Sequence, residues 1–358
     1  MKILVLAQHP SHSIGGIEIQ CDLLAREWQT AGHDVVFAAP TIRTGRYCYE
    51  IDRWDPSTPA SLLRLLRYHR PDIVYVRHNK RGLRRAARTA YAAGVPLVYA
   101  VSSRQDVAAW SFHRSRHRRT PRRLLSIAWQ CIKNRWNWSG LRYVSGAVCL
   151  NPDYAGRLPV PAEIIVFDSM DSKVVPFHWS RPFVAWVAQL KEYKNPHLYV
   201  ELARRCADLE LDFLMVGGLA HSQFGWIARR EETPANFHYL GTMTPIEVNG
   251  FLAASELLVH TCDPEGFGNN FIQAWQQGKA TLSLHFDPAG IIFRERLGAV
   301  PGSMEGLERE LRRFMSDLQL RTETGERARA FAAGHHDPAT NAARIAAFLE
   351  AVVAQASS

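Results

Sequence analysis

Short apolar runs alternate with helix-like segments along most of this 358-residue chain, and this alternation restricts the fold more than any other feature. The first 40 residues show the order strand, loop, helix, strand, with apolar runs at 2–7 and 34–40 around a helix that ends at Gly32. Further strands are predicted at 72–77, 96–101 and 146–151, with helices near 58–69 and 80–93. Such strand–helix–strand units build a parallel sheet with helices on both faces.

A second cycle of the same kind follows a proline-punctuated stretch at 168–182, which is typical of an interdomain linker. Its strands are predicted at 183–190, 211–218, 237–241, 256–261 and 280–284, and its helices at 196–209, 245–255 and 271–277. We therefore predict an α/β protein with two Rossmann-like domains, 1–170 and 171–337, facing each other across a ligand cleft. A last helix within 338–358 is expected to pack back on the N-terminal domain.

The composition agrees with two globular domains and excludes several other classes of protein. The chain is longer than one hydrophobic core usually supports, and 47% hydrophobic with 22% charged residues is ordinary for a globular protein. Apolar runs are too short for a membrane-spanning helix or a secretory signal, and the six cysteines form no C-x-x-C pair. We predict a cytoplasmic protein without disulfides, and the histidines show no spacing typical of a metal site.

The segment Asp263-Pro-Glu-Gly-Phe-Gly-Asn-Asn-Phe-Ile-Gln-Ala-Trp275 carries the most chemical information. A carboxylate in a glycine-containing loop just before a helix places main-chain N–H groups beside an acid that can hold hydroxyls, which suits a phosphorylated sugar. A purely structural interpretation is also open. In it, Asn270 caps the helix, Gln273 completes a capping box, and Glu265 is a solvated loop residue.

This segment resembles the Glu-x7-Glu signature of the family-4 (group 1) retaining glycosyltransferases, which have the GT-B fold. The resemblance implies that Glu265 contacts the donor sugar, within a donor loop that continues through Gly266, Phe267, Gly268 and Asn269. Gln273 stands where the family has its second Glu, and the resemblance gives it the nucleotide ribose. An amide can still donate and accept hydrogen bonds there.

Other segments resemble further parts of the family's donor site. Residues 186–196 are similar to the G-R-L-x-x-x-K-N/G segment, so Lys194 is expected to neutralise the donor diphosphate, with Gln189 in place of the Arg. The pair Gly15 and Gly16 lies where the family's backbone approaches the donor. Gly217, Tyr239 and Leu240 belong to the segments that flank the base. Glu265 and Lys194 are the predicted catalytic residues.

The acceptor side is less well marked. Many family members carry a His after the fourth N-terminal strand, but residues 99–106 contain none. We expect Ser102, Arg104 and Asp106, together with His78, to face the acceptor instead. Other lone histidines that follow strands, such as His9 and His12, are interpreted as structural.

The resemblance implies transfer of a sugar, with retained configuration, from a nucleoside-diphosphate sugar such as a UDP- or GDP-sugar to a hydroxyl of a glycan or lipid-linked acceptor. It implies no metal ion and no further cofactor. Two alternatives stay open, a sugar-nucleotide epimerase on the same fold and a non-catalytic subunit. The sequence contains neither G-x-G-x-x-G after the first strand nor G-x-x-x-x-G-K-[ST], which disfavours a dehydrogenase or a P-loop ATPase.

Residues 111–135 form a basic arm with eight Lys or Arg and no acid. Apolar residues accompany the cations, namely Leu124, Leu125, Ile127, Trp129, Ile132 and Trp136. We expect the segment 111–136 to hold the enzyme peripherally on an anionic membrane, on the inner face of the cytoplasmic membrane. A plain solvated surface is the alternative, and the lack of a nucleic-acid-binding module argues against an RNA or DNA partner.

Overall fold

Two parallel β-sheets organise the chain in a computed structural model of the protein. The model describes residues 1–12, 15–43, 45–77, 82–101, 104–110, 121–150, 152–263 and 266–357. The chain divides into two compact units: Met1–Asp168 with Pro338–Ser358, and Ser169–Asp337. The predicted doubly wound α/β class is confirmed.

The N-terminal unit contains a seven-stranded sheet and the C-terminal unit a six-stranded sheet. The strands are β1 Lys2–Ala7, β2 Asp34–Ala39, β3 Glu50–Arg53, β4 Ile73–Arg77, β5 Leu97–Val101, β6 Gly146–Cys149, β7 Glu163–Ile165, β8 Phe183–Val187, β9 Asp212–Val216, β10 Phe237–Tyr239, β11 Leu257–His260, β12 Ala280–Ser283 and β13 Gly298–Ala299. Their spatial orders are β3-β2-β1-β4-β5-β6-β7 and β10-β9-β8-β11-β12-β13, and the neighbouring strands in both orders run parallel. Both orders reverse direction beside the first strand of their sheet, which is where ligands bind in such folds.

Helices cover both faces of each sheet. They are α1 Gly16–Thr30, α2 Pro59–His69, α3 Leu83–Ala92, α4 Arg104–Val107, α5 Pro121–Trp138, α6 Pro196–Arg205, α7 Pro245–Ala254, α8 Asn269–Gln276, α9 Ile291–Arg294, α10 Met304–Ser316, α11 Leu318–His335 and α12 Pro338–Ser357. None of those within the described residues is both long and apolar enough to cross a membrane. The continuous apolar runs of the central strands follow from this double covering, since Ile3 to Ala7 of β1 are fully buried.

Local signals fix where several helices begin. Thr244 and Glu247 form a reciprocal capping box at the start of α7, with Pro245 in the first turn. Ser303 caps α10 by accepting from Gly306 N at 3.1 Å. Helix α12 returns to the N-terminal unit, where Trp28 Nε1 of α1 donates to Ala342 O at 2.9 Å.

The structure adds elements that the sequence analysis does not assign. Three short strands, β3, β7 and β13, each lie at the edge of a sheet. Three helices, α9, α10 and α11, lie between residues 286 and 337, where the sequence pattern predicts no helix or strand. Most of the basic arm that the structure describes belongs to α5, and its residues 111–120 lie outside the described ones.

Candidate active site

The loops that follow β8 and β11 are joined by hydrogen bonds at the carboxyl ends of these strands. Asn195 Nδ2 donates to Thr261 O at 3.0 Å, and Asp263 N donates to Tyr193 O at 2.9 Å. The first loop carries Lys194, and the second leads directly into Glu265. The structure therefore brings together the two chain segments that the sequence analysis assigned to the donor diphosphate and the donor sugar.

A buried threonine is the centre of this junction. Thr261 is fully buried, and its hydroxyl accepts from Trp186 Nε1 at 2.9 Å and donates to Lys194 O at 2.8 Å. Because Trp186 belongs to β8 and Thr261 follows β11, the loop with Lys194 is held by both strands. No sequence motif marks Thr261, since its partners are a main-chain carbonyl and an indole distant in the sequence.

Helix α8 begins at the same end of the sheet. Gly268 precedes it with φ +94°, a conformation that side chains rarely adopt, and Asn270 Nδ2 donates to Val187 O at the end of β8 at 3.0 Å. The purely structural interpretation of this motif is therefore wrong in its details. Gly268 stands at the cap position, Asn270 ties the helix to β8, and Gln273 donates to other residues than the cap.

A lysine and a neutral histidine lie close together at these strand ends. The Lys194 ammonium lies 5.1 Å from the ring centroid of Tyr193 and is half-buried. Burial, and in second place the charge of Lys194, hold the pKa of His260 well below its usual range, so His260 is neutral at the end of β11. Among the described residues, no three His, Cys, Asp or Glu side chains are grouped as metal ligands.

The predicted donor residues differ in how far their side chains are exposed. Gln189 is exposed after β8, whereas the Phe267 side chain is only 5% exposed and packs against Trp275 and His336. The Phe267 ring therefore anchors the predicted donor loop in the interior of the C-terminal unit. Gly266 and Asn269 flank this anchored residue on the described part of the loop. Glu265 lies outside the described residues.

The segments expected to flank the base lie at the ends of β9 and β10. Gly217 has φ +151°, and a Cβ there would lie 1.6 Å from Ala188 O, so only glycine permits this close approach of β9 to β8. Tyr239 Oη donates to Gly217 O at 2.7 Å. The N–H of Leu240 donates to Met215 O at 2.9 Å, so this N–H is already used inside the protein.

Predicted residues of the N-terminal unit fall at the carboxyl ends of its strands. Gly15 precedes α1 in an extended conformation and Gly16 is the first residue of that helix. Asp106 is only 7% exposed and lies beside Tyr99. Burial, and in second place the Asp106 charge, raise the pKa of Tyr99 well above its usual value. The Asp106 carboxylate thus faces the interior, which corrects the expectation that it faces the acceptor. Arg104 begins α4. Ser102 and His78 lie outside the described residues, as does the side chain of Arg104.

A hydrogen-bonded relay that the sequence analysis treated as structural follows β1. His9 is 1% exposed; its Nδ1 lies 3.2 Å from the N–H and 2.7 Å from the Oγ of Ser11, and its Nε2 lies 3.0 Å from Tyr49 Oη. Tyr49 in turn donates to Asp22. Because a main-chain N–H can only donate, Nδ1 of His9 must be the acceptor and Nε2 must carry the proton.

Two family models match the chain in the segments where these loops lie. Glycosyl transferases group 1 matches residues 171–331, and Glycosyltransferase Family 4 matches residues 14–139. Together they span about four-fifths of the chain. The chain belongs to the group 1 glycosyltransferases. As a member of this family it is a glycosyltransferase enzyme, and the suspected family is confirmed.

Solved structures of glycosyltransferases show the same fold over nearly the whole length. HepE from Anabaena, in complex with UDP and glucose, is 18% identical, covers 98% of this chain and 100% of its own, and superposes with a TM-score of 0.72. Sucrose-phosphate synthase from Thermosynechococcus elongatus is 12% identical, with 99% and 100% covered and a TM-score of 0.76. WaaG, a glycosyltransferase involved in lipopolysaccharide biosynthesis, is 17% identical, with 98% and 99% covered and a TM-score of 0.71.

At these identities the likeness concerns the fold alone, which is that of the GT-B glycosyltransferases. No curated protein matches this group 1 glycosyltransferase in a sequence search.

Proposed function

We propose that this group 1 glycosyltransferase transfers a sugar from a nucleoside-diphosphate sugar to a hydroxyl of a glycan or lipid-linked acceptor, with retention of anomeric configuration. The observation that carries the proposal is the junction of Thr261 with the Lys194 loop. This junction holds the loop of Lys194 next to the residues that directly precede Glu265. Binding a diphosphate-linked sugar requires both a cation for the diphosphate and an acid for the sugar hydroxyls.

In the proposed reaction, the Lys194 ammonium neutralises the charge that develops on the departing nucleoside diphosphate. The N-terminal end of α8 adds its positive dipole. Glu265 orients the sugar through its hydroxyls. The acceptor hydroxyl attacks the face that the diphosphate leaves, its oxygen forms the new bond to the anomeric carbon as the bond to phosphate breaks, and its proton passes to the leaving phosphate oxygen. No metal ion and no other cofactor takes part in this scheme.

A UDP- or GDP-sugar is the proposed donor. The complex of HepE with UDP and glucose supports a uridine nucleotide, since that protein has the same fold. Surface polysaccharide or another glycoconjugate is the proposed product, in keeping with the involvement of WaaG in lipopolysaccharide biosynthesis.

Thermal unfolding with UDP, GDP, ADP and dTDP, and with their common sugars, tests the donor site. We expect one nucleotide sugar to raise the unfolding temperature of the wild type, Glu265→Gln to remove the sugar-dependent part, and Lys194→Met to remove the diphosphate-dependent part. Lys173→Met, at an exposed lysine of the same unit, is the matched control. Stabilisation that survives Lys194→Met unchanged would contradict the assigned role of Lys194.

Product analysis then separates the reaction classes. NMR of the anomeric proton should show retained configuration, and an inverted product rules out the mechanism. Isomerised nucleotide sugar without any acceptor indicates the epimerase, and nucleotide binding without turnover across an acceptor panel indicates a non-catalytic subunit.

We also propose that α5 attaches the enzyme to an anionic membrane surface. Three large apolar side chains recur at helical spacing on α5 and are mostly exposed: Trp129 (66%), Ile132 (57%) and Trp136 (57%). A group of such side chains on one helix is more informative than single exposed apolar residues, which are common on protein surfaces. Lys133 and Arg135 are exposed on the same helix, and the arm as a whole carries no acid. Apolar contact beside cations fits anionic lipid headgroups. This attachment would bring the enzyme to a lipid-linked acceptor.

Sedimentation with vesicles tests this surface. Wild-type protein should bind vesicles containing anionic lipid and not purely zwitterionic ones, and the double variant Trp129→Ser with Ile132→Ser should lose most of that binding. Trp136 is left intact because the Arg84 guanidinium stacks on its ring at 3.7 Å. Phe293→Ser removes an 84% exposed ring elsewhere and is the control. Equal binding by the double variant and this control would refute the proposal.

A further inference from the structure

Gln273, at the position where the family resemblance expects a ribose-binding carboxylate, is part of a buried amide pair. Its side chain is only 5% exposed, and its Nε2 donates to Asn249 Oδ1 of α7 at 2.8 Å and to Pro245 O at 3.2 Å. Asn249 itself is fully buried. The pair thus links α8, which follows the donor loop, to α7.

The orientation of both amides is dictated by their neighbours. Asn249 Nδ2 faces two main-chain carbonyls, Asp171 O at 2.6 Å and Lys173 O at 2.7 Å, so the atom there must be the nitrogen. Asn249 Oδ1 then points to Gln273 and requires a hydrogen-bond donor. The Gln273 amide supplies it, and its second hydrogen goes to Pro245 O. Both hydrogens of this amide are therefore used inside the protein.

A carboxylate cannot replace this amide. An ionised Glu at 273 would place an oxygen where Nε2 now lies, against Asn249 Oδ1 and Pro245 O, where all groups accept and none donates. Turning the Asn249 amide over would only move the conflict to Asp171 O and Lys173 O. The glutamine is thus required by its surroundings, and is not simply a weaker substitute for the family's Glu.

Asn249 of this pair also contacts the segment 170–175, which lies at the start of the C-terminal unit. Gln276 Nε2 of α8 donates to Met170 O at 2.7 Å, and Val175 N donates to Ile246 O of α7 at 3.0 Å. A Cβ on Gly250 would lie 1.6 Å from Val175 O, so α7 packs directly on this backbone. Helices α7 and α8 therefore hold residues 170–175 between them, with Asn249 at the centre.

We propose that Gln273 is a positioning residue, which fixes α8 and the preceding donor loop through its amide hydrogens and leaves only its carbonyl oxygen to accept a hydrogen bond from a ribose hydroxyl. The ribose part of this proposal rests on the proposed function, whereas the positioning part rests on the hydrogen bonds alone. Restoring the family's carboxylate here weakens the donor site rather than improving it.

Three variants of the full chain test this. Gln273→Glu should lower the unfolding temperature most, Gln273→Met less, because it removes the donors without adding charge, and Gln277→Glu least. Gln277 is the matched control, since it directly follows the last residue of the same helix and its Nε2 makes a 3.5 Å contact with Ser172 O. The nucleotide dissociation constant of Gln273→Glu should rise about tenfold, as expected for one lost buried hydrogen bond.

Acidification provides a readout that a simple packing defect does not give. A protonated carboxyl donates one hydrogen to Asn249 Oδ1, and burial raises the pKa of a Glu at this place. The unfolding-temperature deficit of Gln273→Glu relative to wild type should therefore shrink as the pH is lowered from about 7.5 to about 5. The deficit of Gln273→Met should not change in this way.

Gln273→Glu that unfolds like Gln277→Glu and binds nucleotide as tightly as wild type overturns the proposal. A deficit that does not depend on pH overturns the assigned hydrogen bond. If the wild type binds none of the nucleotides, the proposed function fails, while the unfolding comparison still decides whether Gln273 positions α8.

Discussion

The hydroxyl of Thr261 donates to the main-chain carbonyl of Lys194 at 2.8 Å while it accepts from Trp186 Nε1 at 2.9 Å. One fully buried side chain thus connects β8, the strand end before Glu265, and the loop of the predicted phosphate-binding lysine. Since a hydroxyl both donates and accepts, no apolar residue of the same shape can maintain both contacts.

Thr261→Val keeps the volume and removes both hydrogen bonds. We expect a loss of about 1–3 kcal/mol in the free energy of unfolding, because Trp186 Nε1 stays buried without a partner. Donor KM should rise about tenfold as the Lys194 loop moves. Thr281→Val is the matched control: Thr281 is also fully buried and accepts from Trp275 Nε1 at 3.1 Å, but it lies near the other end of its strand. It should cost similar stability and leave KM unchanged. A donor KM raised equally by both variants would contradict the role of Thr261.

The strands that the sequence pattern does not predict show that an apolar pattern identifies central strands better than edge strands. Strands β3, β7 and β13 have four, three and two residues and pair on one side only. An edge strand is half solvated, so it needs no continuous apolar run, as the sequence EIDR of β3 illustrates. Central strands such as β1 are buried on both faces and were readily predicted.

Helix α11 was missed for a different reason. Its buried residues are small, Thr324, Gly325, Ala328 and Ala332, because the helix approaches the backbone at the end of α8. A Cβ on Gly325 would lie 2.1 Å from Gly278 O. Large apolar residues at helical spacing are therefore absent from this helix, and the usual periodic signal is weak.

In the candidate site, too, only some of the residues could be predicted from the sequence. A family motif identified the loops of Lys194 and Glu265, but the residues that hold those loops carry no motif. Thr261, Asn270 and Asn249 act through main-chain carbonyls of Lys194, Val187 and Asp171, which lie 67 to 83 residues away in the sequence. Any residue can supply a carbonyl, so the sequence gives no pattern from which these contacts could be predicted.

The close approach of β9 to β8 yields a prediction with an adjacent control. Gly217→Ala places a Cβ 1.6 Å from Ala188 O at φ +151°, so we expect a loss of about 2–5 kcal/mol and weaker nucleotide binding. In Gly218→Ala the new Cβ lies 3.4 Å from a methyl carbon of Thr242, an ordinary contact, and the variant should be close to wild type. Denaturant unfolding with a nucleotide titration measures both effects, and equal behaviour of the two variants would show that this approach is not needed.

The buried ion pair of the N-terminal unit should contribute far more to stability than an exposed pair. Arg77 is 2% exposed and donates to Asp168 Oδ2 at 2.8 Å. Asp168→Ala leaves a buried guanidinium without this carboxylate and should cost about 3–5 kcal/mol. Asp34→Ala breaks the 3.0 Å pair with Lys2, in which the Asp34 side chain is 58% exposed, and should cost at most about 1 kcal/mol. Chemical denaturation compares the two, and similar losses would mean that burial does not determine the effect.

The His9 relay makes stability depend on pH with a defined sign. Burial lowers the pKa of His9, and the Asp22 charge offsets this only in part, so the folded protein favours the neutral ring. This agrees with Nδ1 accepting the N–H of Ser11, a hydrogen bond that protonation would abolish. The contribution is present above the unfolded pKa of about 6.5 and is lost as the pH falls through it toward the folded pKa.

Wild-type protein should therefore lose unfolding temperature between about pH 7.5 and pH 5.5, and His9→Gln should show a shallower dependence because its amide does not titrate. His12→Gln removes an exposed histidine from the same loop and should keep the wild-type slope. The variants are compared by thermal unfolding across this range. Two other histidines with lowered pKa, His260 and His238, remain in both variants, so they contribute equally to the two slopes. Parallel curves for His9→Gln and His12→Gln would mean that His9 does not change its protonation on unfolding, and that the relay from Ser11 to Asp22 is not what keeps the ring neutral.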